Sequence, residues 1–161
     1  MFERKLTAGD VCSRIVSVAY PELSVDEAAR AMRDQHVGSL VIVEEHGAEL
    51  RAVVGILTDR DIVTAVVAAQ KDALALRVGD VMSRDVVTAR DTDTVLELLA
   101  AMQRKGVRRV PIVGEDRRLV GVASIDDVFA VLAEAMGALA GTVAAARRHE
   151  QTSPGAVLGK P

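Results

Sequence analysis

Residues 9–19 read GDVCSRIVSVA, and seventy positions later the chain reads GDVMSRDVVTA (79–89). Followed at the same offset to Val43 and Val113, 14 of 35 aligned positions are identical. Agreement of that extent within one chain marks a duplicated unit, and a duplication constrains the architecture before any single residue is interpreted. Past Val113 the offset drops to 66, so that VVGILTDRDIV (53–63) falls on LVGVASIDDVF (119–129). The difference is confined to EEHGAELRAV against GEDRRL. Both segments are polar and contain glycine, as expected of hairpin connections that tolerate insertion.

The order of elements is legible within each unit. Ser24-Val25-Asp26-Glu27 and Thr94-Val95-Leu96-Glu97 have the form of capping boxes, a hydroxyl followed three residues later by Glu. Val25, Ala28, Ala29 and Met32 then recur at helical spacing, as do Val95, Leu98, Leu99 and Met102. The β-branched runs LVIV (40–43) and VPIV (110–113) read as buried strands. AVVGIL and LVGVAS supply a third strand, and second helices start at Asp59 and Ile125. The expected fold is α/β (α+β): two β-α-β-β-α repeats, 8–70 and 75–134, packed about a pseudo-two-fold axis. A C-terminal helical extension (135–150) and a disordered tail (151–161) are expected to follow.

Composition narrows the function classes. Half of the residues are hydrophobic but only 2% are aromatic, so the core must be aliphatic. A ring ligand would be gripped by Val, Ile and Ala, and single-stranded nucleic acid would lack its usual stacking platforms. The net charge of −3 supplies no basic field for nucleic acid or an anionic membrane. Cys12 is the only cysteine, which excludes an intrachain disulfide and suits a reducing compartment. MFERKLTAGD lacks the apolar core of a secretory leader. The uncharged stretch Ala135–Ala146 falls short of the roughly 18 residues a bilayer span needs. A cytoplasmic location without membrane contact is the expectation.

The repeat resembles the CBS domain, named for cystathionine β-synthase, which occurs in tandem pairs. GDVMSRDVVTA, the helix carrying Met102, VRRVPIV, and above all VGILTDRDI and VGVASIDDV carry the resemblance, which spans about residues 8–133. It implies a free-standing regulatory pair rather than an enzyme. Such pairs bind adenine nucleotides (AMP, ADP, ATP) or related adenosyl ligands such as S-adenosylmethionine in the cleft between repeats, and signal that binding to a protein target. No catalytic cofactor is implied.

The segment GILTDRD (55–61) has two readings on its residues alone. Thr58 and Asp61 form a capping box with Asp in place of Glu. A helix start also offers amide N–H groups to a phosphate, a carboxylate can accept from a ribose diol, and Gly55 would let backbone approach a ligand. Gly121, Ser124 and Asp127 repeat the spacing. The resemblance implies that Asp61 and Asp127 hold ribose, with Thr58 and Ser124 near the phosphates. It also implies that the base lies against the first strand of a repeat, which makes Val16, Val18, Val86 and Thr88 candidates. Tyr20, just after that strand, offers an aromatic edge.

Arg108 and Arg109 are the candidate phosphate contacts. The family often places a basic residue there, and guanidinium suits phosphate through bidentate geometry. Arg60 is a further candidate; its counterpart Asp126 makes the second site more acidic. His36, His46 and His149 are scattered, without metal spacing or a nucleophile–base pattern, and His36 reads as a helix-end residue.

Along the C-terminal helix, Ala133, Gly137, Gly141 and Ala145 recur at spacing four and suggest close approach of another helix. Apolar faces at Ile62, Val63, Val66, Val67 and at Val128, Val131, Leu132 suit a homodimer. Two alternatives stand beside nucleotide sensing: a ligand-free interaction module, and nucleic-acid binding through Arg104–Arg109, which would be steeply salt-dependent.

Overall fold

The computed structural model describes residues 5–46 and 50–152, and the duplication in the sequence carries through to its elements. Capping boxes set the two main helices. Ser24 Oγ accepts from the Glu27 amide at 3.2 Å, and the Glu27 carboxylate accepts from the Ser24 amide at 3.0 Å, opening α2 (Val25–Asp34). Thr94 and Glu97 make the same exchange at 3.3 and 2.7 Å, opening α5 (Val95–Lys105). The partner hydroxyl, then the amide, holds each Glu carboxyl below its usual range.

Each helix covers a three-stranded sheet. In the first repeat β1 (Val18–Ala19) pairs parallel with β2 (Ser39–His46), which pairs antiparallel with β3 (Leu50–Thr58). In the second, β4 (Ala89–Arg90), β5 (Arg109–Val113) and β6 (Leu119–Ser124) repeat that order. A register irregularity recurs at matching places, Ile42/Val43 and Ile112/Val113. The cores are aliphatic: Leu40, Ile42 and Leu57 with Ala28 and Met32 in one, Val110, Ile112 and Ala123 with Leu98 and Met102 in the other.

The repeats exchange their entrance segments. The short helix α1 (Ala8–Val11) precedes the first repeat, yet Ala8, Val11 and Cys12 pack into the core of the second. Reciprocally, α4 (Val78–Val81) and the residue after it place Val78 and Met82 in the core of the first. Neither repeat closes its core with its own residues alone.

After β3 comes α3 (Asp59–Ile62), which continues as a π-helical stretch, Val63–Val67. Of the faces offered for dimerisation, Val66 and Val128 are consumed by the chain's own interior, at 2% and 1% exposure. Val63, Val67 and Leu132 point outward. The last helix, α6 (Ile125–Thr152), starts against the second core through Ile125 and Val128 and then leaves it. Beyond that point Phe129, Leu132, Met136, Leu139 and Val143 are all exposed. Their alternating spacing of three and four is the period of a coiled-coil seam. The small-residue stripe lies on a different face, and a Cβ at Gly137 or Gly141 would meet nothing within 4 Å. No helix of this chain approaches there among the described residues.

By length and composition Ile125–Glu150 is apolar enough to cross a membrane, with 6% of its most apolar window buried. Its first turns are docked on the second repeat, however. The uncharged part that projects, Ala135–Ala146, is about 18 Å long at ~1.5 Å per residue, short of a hydrocarbon core of about 30 Å. The helix runs to Thr152, and the remainder of the tail read as disordered lies outside the described residues.

Gln35 is the C-cap of α2, and the next residue, His36, has a left-handed φ of 54°. At the matching place in the second repeat Gly106, φ 64°, ends α5. Glycine adopts this conformation freely and a residue with a Cβ does not. His36→Gly is therefore expected to stabilise the chain by about 0.5–1 kcal/mol, seen as a higher urea midpoint. A lowered midpoint would contradict this account.

Candidate functional site: two clefts between the repeats

Both hydroxyl–carboxylate pairs are capping boxes. Thr58 Oγ1 accepts from the Asp61 amide at 3.2 Å, and Asp61 Oδ2 accepts from the Thr58 amide at 2.8 Å and its hydroxyl at 2.6 Å. Ser124 and Asp127 reproduce the set at 3.2, 2.7 and 2.6 Å. All the bonds to each carboxylate fall on Oδ2. Capping therefore uses one oxygen of each Asp and does not engage the other.

The exchange of entrance segments brings these helix starts to two clefts, each walled by both repeats. The first, of about 380 Å³, joins Thr58, Asp59 and Arg60 at the end of β3 to Val86, Arg108 and Arg109 of the second repeat. The second, of about 280 Å³, joins Ser124 and Asp127 at the end of β6 to Ile15, Val16 and His36 of the first repeat. Arg109, Gly38 and Ser39 border both. Each helix start thus faces the first strand segment of the opposite repeat.

Most of the candidate residues are gathered here. Thr58, Arg60, Val86, Arg108 and Arg109 line the first cleft, and Val16, Ser124, Asp127 and again Arg109 line the second. Asp61 is hydrogen-bonded to the lining residue Thr58 without lining the first cleft itself, whereas Asp127 lines the second directly. Val18, Thr88 and Tyr20 line neither. Val18 is occupied in β1, paired with Val41, and Thr88 is exposed just before β4. The Tyr20 hydroxyl donates to Glu45 Oε1 at 2.7 Å, and this bond raises the phenol pKa. Its aromatic edge belongs to the rim of the first sheet.

Gly55 and Gly121 also differ from expectation. They admit protein, not ligand. The segment after α1 crosses β6, where Ser13 and Val122 exchange backbone hydrogen bonds at 2.9 Å each. A Cβ on Gly121 would lie 2.6 Å from the Ser13 carbonyl oxygen. The segment after α4 crosses β3 likewise, through Ser83 and Ile56, with Met82 packed against Gly55. Conversely, His36 and Asp59 are wall residues that the sequence did not single out as ligand contacts. The repeat alignment held the signal for His36, since it stands three positions before Ser39 as Gly106 stands before Arg109.

Charge distinguishes the clefts. Arg60, Arg108 and Arg109 stand at the first with Asp59 and Asp85, and Asp85 is already met by Lys105 Nζ at 3.0 Å. None of the three guanidinium groups forms an ion pair or side-chain hydrogen bond among the described residues. Outside the lining of both clefts, burial pushes the Cys12 thiol pKa up, which disfavours the nucleophilic thiolate.

Two β-α-β-β-α repeats that lend each other their entrance segments and enclose paired clefts define a tandem-repeat module. The model of the CBS domain matches residues 8–68 and 78–134, and the chain belongs to that family. An uncharacterized protein of Methanopyrus kandleri is 34% identical over 128 residues, 80% of this chain and 63% of that protein. The L-aspartate semialdehyde sulfurtransferase of Methanocaldococcus jannaschii is 30% identical over 74% of this chain, which corresponds to 22% of the enzyme. The chain thus spans less than two thirds of either relative. Among solved structures, the CBS domain pair of protein MJ0100 in complex with 5′-methylthioadenosine and S-adenosyl-L-methionine matches with a TM-score of 0.69. It is 28% identical and covers 81% of this chain and 98% of that one.

The two kinds of glycine make opposite predictions. Gly121→Ala is expected to cost about 1–3 kcal/mol, because backbone must move to admit the methyl group. Gly137→Ala on the open face of α6 is expected to stabilise by about 1 kcal/mol. Urea unfolding of the two variants would show the opposite shifts; equal shifts would remove the crossing as the reason for Gly121.

Proposed function

We propose that the chain is a regulatory module that senses adenosine-containing ligands in its clefts and passes their occupancy to a protein target. The observation that carries this reading is the first cleft, where Arg108 and Arg109 of the second repeat and Arg60 of the Thr58-capped helix, none of them in an ion pair among the described residues, line one gap built by both repeats. A phosphorylated nucleoside would supply what they lack. Arg60, Arg108 and Arg109 would take its phosphates, the free oxygen of Asp61 its ribose diol, and Val86 one face of the base. In the second cleft Asp127 and Val16 would take the corresponding parts. The bound nucleosides of the MJ0100 pair support the ligand class. AMP, ADP, ATP and S-adenosylmethionine are the ligands to try. Because both walls move with different repeats, a bound ligand would fix their relative position. The acidic balance and lone, half-buried Cys12 suit action in the cytoplasm.

A second copy of the chain is the proposed partner for the exposed apolar face. The seam from Phe129 to Val143 has the period at which one helix packs along another, and Val63 and Val67 add to the exposed apolar surface. Sedimentation is expected to give a dimer at micromolar concentration, and Met136→Glu with Leu139→Glu a folded monomer. A monomeric parent chain would refute the pairing.

Ligand sensing is tested by thermal shift with AMP, ATP and S-adenosylmethionine. A ligand at 100 times its Kd adds about 2.7 kcal/mol, roughly 5–10 °C for a chain of this size. Each ligand's shift is expected to be lost in Asp61→Ala or in Asp127→Ala, according to the cleft it occupies, and each substitution costs about 1 kcal/mol as a cap. No shift from any of them at millimolar concentration would leave GILTDRD a capped helix start, and the chain a ligand-free interaction module.

A further inference from the structure

The two clefts are related by the repeat, yet their walls differ position by position in charge. Where the first cleft has Arg108 and Arg109, the second has Gly38 and Ser39. Asp85 of the first corresponds to Ile15 of the second, which is 95% exposed. Arg60 lines the first; its counterpart in the repeat, Asp126, is exposed at the start of α6, next to Asp127 in the chain. The second cleft is left with Asp127, His36 and the edge of Arg109, which it shares with the first.

We infer that the clefts take different ligands: a phosphorylated nucleoside in the first, and in the second a nucleoside without phosphate, neutral or cationic at its 5′ end. A phosphate brought into the second cleft would meet the Asp127 carboxylate on its wall, and like charges there raise the cost of keeping both ionised. A phosphate in the first is met by Arg60 and Arg108 and draws on Arg109 as well. Because Arg109 borders both clefts, its engagement by that phosphate removes cationic character from the second. The chain then holds one phosphorylated ligand, and that ligand strengthens the second cleft's preference against another. This inference rests on the proposed sensing of nucleosides and adds which cleft takes which kind.

The test is calorimetric titration of the full chain with AMP and with 5′-methylthioadenosine, which share a nucleoside and differ in charge. AMP is expected to saturate at one per chain, and to lose at least tenfold in affinity in Arg108→Ala and in Arg60→Asp. 5′-Methylthioadenosine is expected to keep its affinity in those variants, to bind in the presence of saturating AMP, and to lose at least tenfold in Asp127→Ala. Asp127→Ala is expected to leave AMP unchanged. Transplanting the charges, Ser39→Arg with Asp126→Arg, is expected to raise AMP from one to two per chain. Two equivalent AMP sites in the parent chain, or equal loss of AMP in Asp127→Ala and Arg108→Ala, would overturn the division while leaving nucleoside sensing intact. Binding of neither compound would overturn both.

Discussion

Two backbone crossings hold the rest in place: Ser13 on Val122 and Ser83 on Ile56, each a pair of hydrogen bonds between an entrance segment and the last strand of the opposite repeat. Together with the amide bonds of Ala8 and Gly9 to Asp93 and Asp91, and of Val78 and Gly79 to Leu23 and Pro21, they fix α1 and α4 on the opposite repeat, where Ala8 and Val78 are at 0% exposure. The crossings need glycine beneath them, which is why Gly55 and Gly121 sit one residue before the strand residues that pair. They also carry Val16 and Val86 to the far repeat, opposite Ser124 and Thr58. The clefts are a by-product of how the cores are closed. Any molecule that fills one touches both halves of the fold.

The helix starts at the clefts serve two ends with the same atoms. Thr58 and Asp61 satisfy the orphan amides of α3, as Ser124 and Asp127 do for α6. A Glu would cap as well and does so at Glu27 and Glu97. At the cleft helices the box is closed by the shorter Asp, whose second oxygen is not engaged. Asp10 also closes the box at the start of α1, so the Asp by itself does not mark a ligand site, and what sets Asp127 apart is its place on a cleft wall.

Much of this was legible in the residues. The duplication, the capping boxes and the aliphatic strands fixed the element order, because each is a local pattern with a local cause. The exchange of entrance segments was not legible, since GDVCSRIVSVA packs on an apolar sheet equally well in either repeat and its sequence does not say which. Gly55 was misread for the same reason: a close approach was correctly inferred, but the approaching group is Met82 and Ser83 rather than a ligand. Tyr20 was drawn to the base by sequence proximity to β1, whereas in space its partner is Glu45 on β2. In α6 the small residues at spacing four are the pattern that the sequence displays. The exposed seam of larger residues became visible only once Val128 was seen to be buried and Phe129 not.

α6 also suggests a physical route from ligand to partner. Its first turn carries Asp127 at the second cleft, and the same helix then projects as the exposed seam ending near Val143. A helix is stiff along its axis, so a small rotation of its capped start is magnified over a projection of about 25–30 Å at ~1.5 Å per residue. The π-helical stretch after α3 gives the first cleft no such lever, for it ends at Val67 with Val66 buried. On the proposed reading the clefts therefore differ in output as well as in ligand. Occupancy of the first would set the balance between the repeats through Arg109, and occupancy of the second would be felt directly by the surface that meets a second copy.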